Sequence, residues 1–193
     1  MIDIVRLADH HRTGVFSSGT ALLDDFLRNE AYFESGDYGT TWVVVSEAGS
    51  PEVIAFYTLL YPYELSDADD ASLALPAVEL LCLAVDKAHQ GTGVGTKILR
   101  GLIDRILEVQ DEYAINLLLL VAISSRVRAW YFSRGLGFHT ADAPQDRMTL
   151  YLPVVEMRGL RESDPDWDEK RYTLPTFTWP LSFVEEEDNS ETL

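Results

Sequence analysis

A single cysteine, Cys82, stands in a chain of 193 residues. One thiol excludes an internal disulfide and any cysteine-rich metal site. Set in the apolar run LLCLAV, it reads as a buried core thiol rather than a nucleophile. Long apolar runs are lacking too. Stretches such as 113–123 fall well short of the roughly 20 residues that a membrane-spanning helix needs, so no membrane partner is expected. The opening MIDIVRLADHHRTG has no basic-then-apolar leader layout, and a cytoplasmic address is the default expectation. Bases are scarce: 15 Lys and Arg face 32 Asp and Glu, a net charge of −17. Residues 153–193 carry −7 of this and residues 1–152 carry −10. A broad nucleic-acid surface is therefore not evident, although small basic groups occur at Lys97, Arg100 and Arg105 and at Arg126, Arg128 and Arg134.

Hydrophobic residues make up 47% of the chain, enough for one ordinary domain with a sizeable core. Residues 2–7 alternate weakly and predict a strand. Ser18 or Thr20 can cap a helix whose apolar face is Leu22, Leu23, Phe26 and Leu27. A second short helix is expected around 29–35, before Gly36. TTWVVVSEAGSPEVIAFYTLLY predicts two strands joined by a Gly-Ser-Pro turn, and the acidic segment 64–72 an exposed connection. AVELLCLAV and INLLLLVAI read as strands buried on both faces. Between them a helix is expected from Thr96, with Ile98, Leu99, Leu102, Ile103 and Ile106 at helical spacing. SRVRAWYFSRG predicts a short helix that Gly135 can end, and MTLYLPV a closing strand.

Beyond residue 152 the texture changes. Residues 153–183 mix acids, prolines and aromatics, and they predict an extension packed on the domain or on a second subunit, because exposing Tyr172, Phe177, Trp179 and Phe183 together would be costly. Residues 184–193 read as an acidic frayed tail.

The chemistry concentrates in LAVDKAHQGTGVGTKIL, residues 83–99. A buried strand enters a loop with Gly91, Gly93 and Gly95 and leaves it as an amphipathic helix. Glycine lets backbone approach an anion closely. The unpaired N–H groups of a helix start can hold phosphate oxygens, and a pyrophosphate is the natural ligand. The spacing is GxGxG rather than the dinucleotide GxGxxG, and the Walker ending GK[ST] is absent.

Gln90-Gly91-Thr92-Gly93-Val94-Gly95 instead resembles the Q/R-x-x-G-x-G/A signature of the GNAT acyltransferases. The resemblance runs over roughly residues 2–152. It implies an α+β GNAT fold: a mixed central sheet of about six to seven strands, splayed at a CoA cleft and flanked by helices. It also implies acetyl-CoA as acyl donor, with no metal. By the same resemblance, Gln90 to Gly95 and Thr96 hold the CoA pyrophosphate, and the main chain of Leu83, Ala84 and Val85 pairs with the pantetheine arm. VAISSRVRAWYFSRGLGF resembles the family helix ending FY-x-x-x-GF. With Gly135 as the motif glycine, Tyr131 takes the position of the acid that protonates the leaving thiolate; with Gly137, Ser133 takes it. A tyrosine near its usual pKa of about 10 is the better donor, and Tyr131 keeps the aromatic pair with Trp130. Glu79, at the expected start of the pre-loop strand, is the carboxylate best placed as a base. His10, His11, His89 and His139 read as surface residues, and no metal site is proposed.

The N-terminal third resembles the tRNA-acetylating toxins of toxin–antitoxin systems. The correspondents are Phe16, Ser18-Gly19, Leu23-Asp24-Asp25-Phe26-Leu27 and Ala55-Phe56-Tyr57-Thr58-Leu59. That resemblance implies an aminoacyl-tRNA acceptor and an antitoxin partner; a homodimer is left open through the extension at 153–183. The acidic surface and the extension depart from the toxin pattern. The alternatives are an acetyltransferase of small amines or protein N-termini and a non-catalytic CoA-binding interaction module.

Overall fold

The computed structural model describes residues 2–31, 39–67, 70–140 and 148–175, with 62–67 and 70–75 given by backbone alone. Seven strands form one sheet: β1 (Asp3–Arg6), β2 (Thr40–Val45), β3 (Val53–Asp67), β4 (Asp70–Val85), β5 (Leu117–Val121), β6 (His139–Thr140) and β7 (Thr149–Pro153). Among the described residues four α-helices accompany them: α1 (Ala21–Asn29), α2 (Val94–Tyr113), α3 (Ser125–Phe132) and α4 (Val154–Ser163). The strand order is β1-β2-β3-β4-β5-β7-β6. Every pairing is antiparallel except β4 with β5, which is parallel because α2 crosses over between them.

Two apolar layers sandwich the sheet. On one face Ile98, Leu99, Leu102, Ile103 and Ile106 of α2 are fully buried against Tyr57, Leu59, Val78, Leu80, Leu118 and Leu120. Each such side chain contributes about 1.5–3 kcal/mol on leaving water. On the other face Phe16 and the α1 residues Leu23, Phe26 and Leu27 cover Val43, Val45, Phe56 and Ala84. Leu22, expected on that apolar face, is instead 69% exposed. It lies a full 100° around the helix from Leu23, on the solvent side.

Four other expectations need correcting. The acidic stretch 64–72 is not merely a connection: β3 runs through Asp67 and β4 starts at Asp70, with Glu64 opposite Pro76 and Leu65 opposite Leu75. Charge does not stop a hairpin strand whose ladder bonds are satisfied by its neighbour. α2 begins at Val94 rather than Thr96, with Gly93 as its left-handed N-cap. The β4 run is not buried on both faces, since Leu81 is exposed and Cys82, Leu83 and Val85 only half-buried. His11 is no surface residue; it is buried, with Nδ1 taking the Ala8 N–H at 2.9 Å. The expected helix at 29–35 falls largely outside the described residues, and α1 ends at Asn29.

Thr20 occupies the N-cap of α1 without a side-chain cap bond. The hydroxyl that matters is that of Ser18, which donates to Asp24 at 2.6 Å.

Residues 154–175 run back over α2. Trp167 is buried and its indole N–H donates to Asp104 at 3.0 Å. Arg161 and Arg171 reach the same buried carboxylate. The Tyr172 N–H donates to the Lys97 carbonyl at 3.1 Å, and Gly101 leaves room for the chain: a Cβ there would sit 2.3 Å from the Tyr172 carbonyl oxygen. Phe177, Trp179 and Phe183, part of the expected docked extension, lie outside the described residues. No helix among the described residues is long and apolar enough to cross a membrane.

Candidate active site

The site begins where β4 and β5 part. They pair only at Ala77–Leu117, Val78–Leu118 and Glu79–Leu119, after which β5 bonds to β7 alone. The β4 edge from Leu80 to Val85 therefore faces an opening. β4 also carries a bulge: Leu80 is opposite Leu59 but Cys82 is opposite Thr58, so Leu81 has no partner across the ladder. One extra residue re-aims everything after it. Val78 and Leu80 face α2, whereas Cys82 and Ala84 face α1. Leu83 and Val85 consequently pack against the α2-side core.

Glu79 is not at a strand start; it sits mid-strand at the last β4–β5 pair, just before the bulge. It lies half-buried, and that burial pushes its carboxyl above the ordinary range. Cys82, directly after the bulged Leu81, has its thiol pushed up to about 12, by burial first and then by Glu30 and Glu79. The thiol in turn adds to the burial that raises Tyr131.

Tyr131 is the one buried residue of α3. Its ring packs edge-on against Trp130 at 5.0 Å and Phe138 at 5.4 Å. Ser133, the alternative position, is exposed and its hydroxyl donates to the Trp130 carbonyl at 2.8 Å. Of the two alternatives, Tyr131 lies in the interior and Ser133 on the surface. Gly135, at φ +65°, turns the chain after α3.

The glycine loop follows β4. Gly91 and Gly93 have φ of +78° and +89°, a region that strains any L side chain, and a Cβ at either would meet nothing within 4 Å. Their role is backbone conformation beside open space. Gly95 differs: a Cβ there would lie 3.3 Å from Trp130 Cζ2 and 3.5 Å from Val85 Cγ2. It allows α2 to pack closely on α3. Among the described residues no acceptor takes the N–H of Gly91, Thr92 or Gly93. The first N–H groups of α2, from Val94, Gly95 and Thr96, are free by helix geometry. Together they form a positive cradle at a helix start, suited to a pyrophosphate.

Two predicted loop residues serve the loop itself. Gln90 spends its amide hydrogens on the Ser18 carbonyl at 2.7 Å and the Val85 carbonyl at 2.9 Å. The Thr92 hydroxyl donates to the His89 carbonyl at 2.6 Å.

Sequence reasoning missed the buttress beneath this loop. Asp86 accepts from the Ala88 N–H and from the Ser17 N–H, both at 2.9 Å, and the Lys87 N–H donates to the Ser17 carbonyl. Ser17 and Ser18 are held by the buried Asp24. Burial pushes the Asp24 carboxyl up, but hydrogen bonds from Ser18 and Ser17 and the nearby Arg28 outweigh it and hold the group low. The signal was present in the SSGT…D spacing, but nothing local to it points toward a loop 70 positions away.

A mixed sheet splayed between β4 and β5 and an N–H cradle between β4 and α2 define the class of a CoA-dependent acyltransferase. The sequence comparisons agree. The model of the acetyltransferase (GNAT) family matches residues 7–138. A tRNA-acetylating toxin of Mycobacterium tuberculosis is 30% identical over 162 residues, 80% of this chain and 93% of that protein. The AtaT toxin, solved as a tyrosine-to-phenylalanine mutant with the C-terminus of the antitoxin AtaR and acetyl-CoA, superposes with a TM-score of 0.71 at 21% identity, covering 82% of this chain and 97% of AtaT. AtaT complexed with acetyl-methionyl-tRNAfMet gives 0.71 at 20% identity, covering 83% and 99%. The chain belongs to the acetyltransferase (GNAT) family and is an acetyl-CoA-dependent N-acetyltransferase.

Proposed function

We propose that this chain acetylates the α-amine of aminoacyl-tRNA and so acts in the cytoplasm as a growth-arresting toxin, restrained by an antitoxin protein. The acceptor reading is carried by the likeness to the tRNA-acetylating toxin, which extends over nearly all of that protein. The donor half is supported by the open cradle at 91–96.

Acetyl-CoA supplies the activated acetyl group. The backbone N–H groups of Gly91 to Thr96 take its pyrophosphate, with Gln90 and Thr92 holding the loop in shape. The open edge of Leu83, Ala84 and Val85 receives the pantetheine arm. Glu79, raised by burial, accepts the proton that the attacking ammonium must lose. An aminoacyl ester amine is less basic than lysine, so a carboxylate suffices. Tyr131 donates to the departing sulfur; burial raises its phenol well above the usual value of about 10, so it is a weaker acid than the sequence expectation took it to be and gives up its proton only as charge develops on the sulfur. The nitrogen–carbon bond forms as the carbon–sulfur bond breaks, and the proton held by Glu79 returns through solvent to the Tyr131 phenolate, so the net shift of one proton from nitrogen to sulfur needs no reagent beyond the two substrates. Residues 1–152 form the transferase domain, and 153–183 form an extension whose described part, through residue 175, braces α2.

Expression of the chain alone should arrest growth, and Tyr131→Phe should relieve the arrest while leaving the fold intact. Loss of a positioned proton donor costs roughly 10²–10⁴ in rate. Normal growth with a demonstrably active enzyme contradicts the toxin reading.

A further inference from the structure

The fold treats the two basic groups differently. On α2, Arg100 is paired with Asp164 at 2.8 Å and lies 4.6 Å over the Trp167 ring. Arg105 is engaged by Glu108 and the Leu174 carbonyl, and Lys97 lies over the Tyr172 ring. The extension thus covers that group. On α3 and the turn after it, Arg126, Arg128 and Arg134 have no carboxylate partner among the described residues.

Within α3 the sides are distinct. Trp130 faces the phosphate loop, packed near Gly95, and Arg134 lies 5.5 Å over it. Helical periodicity puts Arg128 and Phe132 together on nearly the opposite side. The Arg128 guanidinium lies 5.2 Å over the Phe132 ring, and its Nε–H is buried with no acceptor. Phe132 is 42% exposed, and nearby in sequence Val121 and Ile123, at the free end of β5, are 52% and 43% exposed. This is an unpaired cation beside an exposed ring, on the helix that carries Tyr131.

We propose that Arg128 and Phe132 form the contact for the single-stranded 3′ end of the acceptor RNA. The guanidinium meets a backbone phosphate and the ring stacks on a terminal base, which delivers the aminoacyl ester toward Tyr131. This rests on the aminoacyl-tRNA reading above. An acidic protein segment would satisfy the cation, but a paired phosphate and π-face is what a nucleotide presents, and single-stranded RNA is recognised by that combination. A local contact of this kind also reconciles RNA binding with a domain of net charge −10 over residues 1–152.

The test compares Arg128→Ala and Phe132→Ala with wild type, and with Arg158→Ala, an exposed arginine on α4, as charge control. KM for charged tRNA should rise about tenfold in the α3 variants, with the acetyl-CoA dissociation constant and kcat unchanged. For Arg128→Ala, the slope of log affinity against log salt should fall by about one. Unchanged KM and salt slope, with wild type acetylating charged tRNA, overturns the surface but leaves the acceptor reading standing. A parallel loss of acetyl-CoA affinity assigns Arg128 to the donor and also overturns it. So does loss of binding to a synthetic acidic peptide in these variants while tRNA kinetics stay intact. Wild type that labels no tRNA at all overturns the acceptor reading and this contact together.

Discussion

Gln90, at the head of the glycine loop, donates its side-chain amide to the Ser18 carbonyl 2.7 Å away, a link spanning 72 positions of chain. The loop is therefore held from outside. Gln90→Ala removes this bond and the one to Val85. A hydrogen bond nets about 1 kcal/mol, less where exposed as here, so acetyl-CoA affinity should fall about three- to tenfold with little change in melting temperature. Isothermal titration against acetyl-CoA reads this directly. An unaltered dissociation constant would show that the link is incidental.

Gly93 and Gly95 should fail in different ways. Gly93→Val places a β-branched residue at φ +89° beside open space, so the cost falls on loop conformation and the N–H cradle. Acetyl-CoA binding should be lost with the fold retained. Gly95→Val meets the Trp130 ring and Val85, so it should lower thermal stability as well, by about 1–3 kcal/mol. Circular dichroism melts of both variants beside binding titrations separate the two. Equal melting temperatures would contradict the packing role of Gly95.

Glu79 makes the pH dependence specific. Burial raises its folded pKa above the unfolded value, so in the window between them the folded state binds more protons. Its contribution to stability is present below the unfolded pKa and is lost as pH rises through the folded one. Glu79→Gln should flatten that part of the stability profile and leave the protein no less stable near neutral pH. In kinetics, the acid limb of kcat/KM should lie above the usual carboxylate range and vanish in Glu79→Gln. An unchanged limb in the variant assigns the proton transfer to water or another group.

Asp104 anchors the extension. Its buried carboxylate takes the Trp167 indole and the Arg161 and Arg171 guanidiniums. Asp104→Asn should cost about 2–4 kcal/mol, since it leaves cations packed beside a neutral group. Urea unfolding should show the loss, and limited proteolysis should cut sooner within 161–175. A variant as stable and as resistant as wild type would mean that the extension contributes no binding energy to α2.

Much of this site was legible because it is local in sequence. The loop glycines are contiguous with the strand and helix that make them a cradle, and the Trp130-Tyr131 pair with its following glycines marked α3. What was not legible arises from register and long-range contact. The bulge at Leu81 leaves no mark in an uninterrupted apolar run, yet it decides which of Glu79, Cys82 and Leu83 share a face. Acidic composition at 64–72 suggested a connection because charge is a correlate of exposure, not of backbone conformation. His11 reads as a surface group by residue type, and nothing local in the sequence marks Asp24 or Asp104 as buried. Their burial is compensated by hydrogen bonds to partners whose identity only the fold supplies.

The most direct measurement is transfer of label from acetyl-CoA into a mixture of charged tRNAs, small amines and peptides. The account predicts label on the α-amine of charged tRNA, absent with uncharged tRNA and reduced at least a hundredfold in Tyr131→Phe. Label on amines or peptides with none on charged tRNA would contradict it.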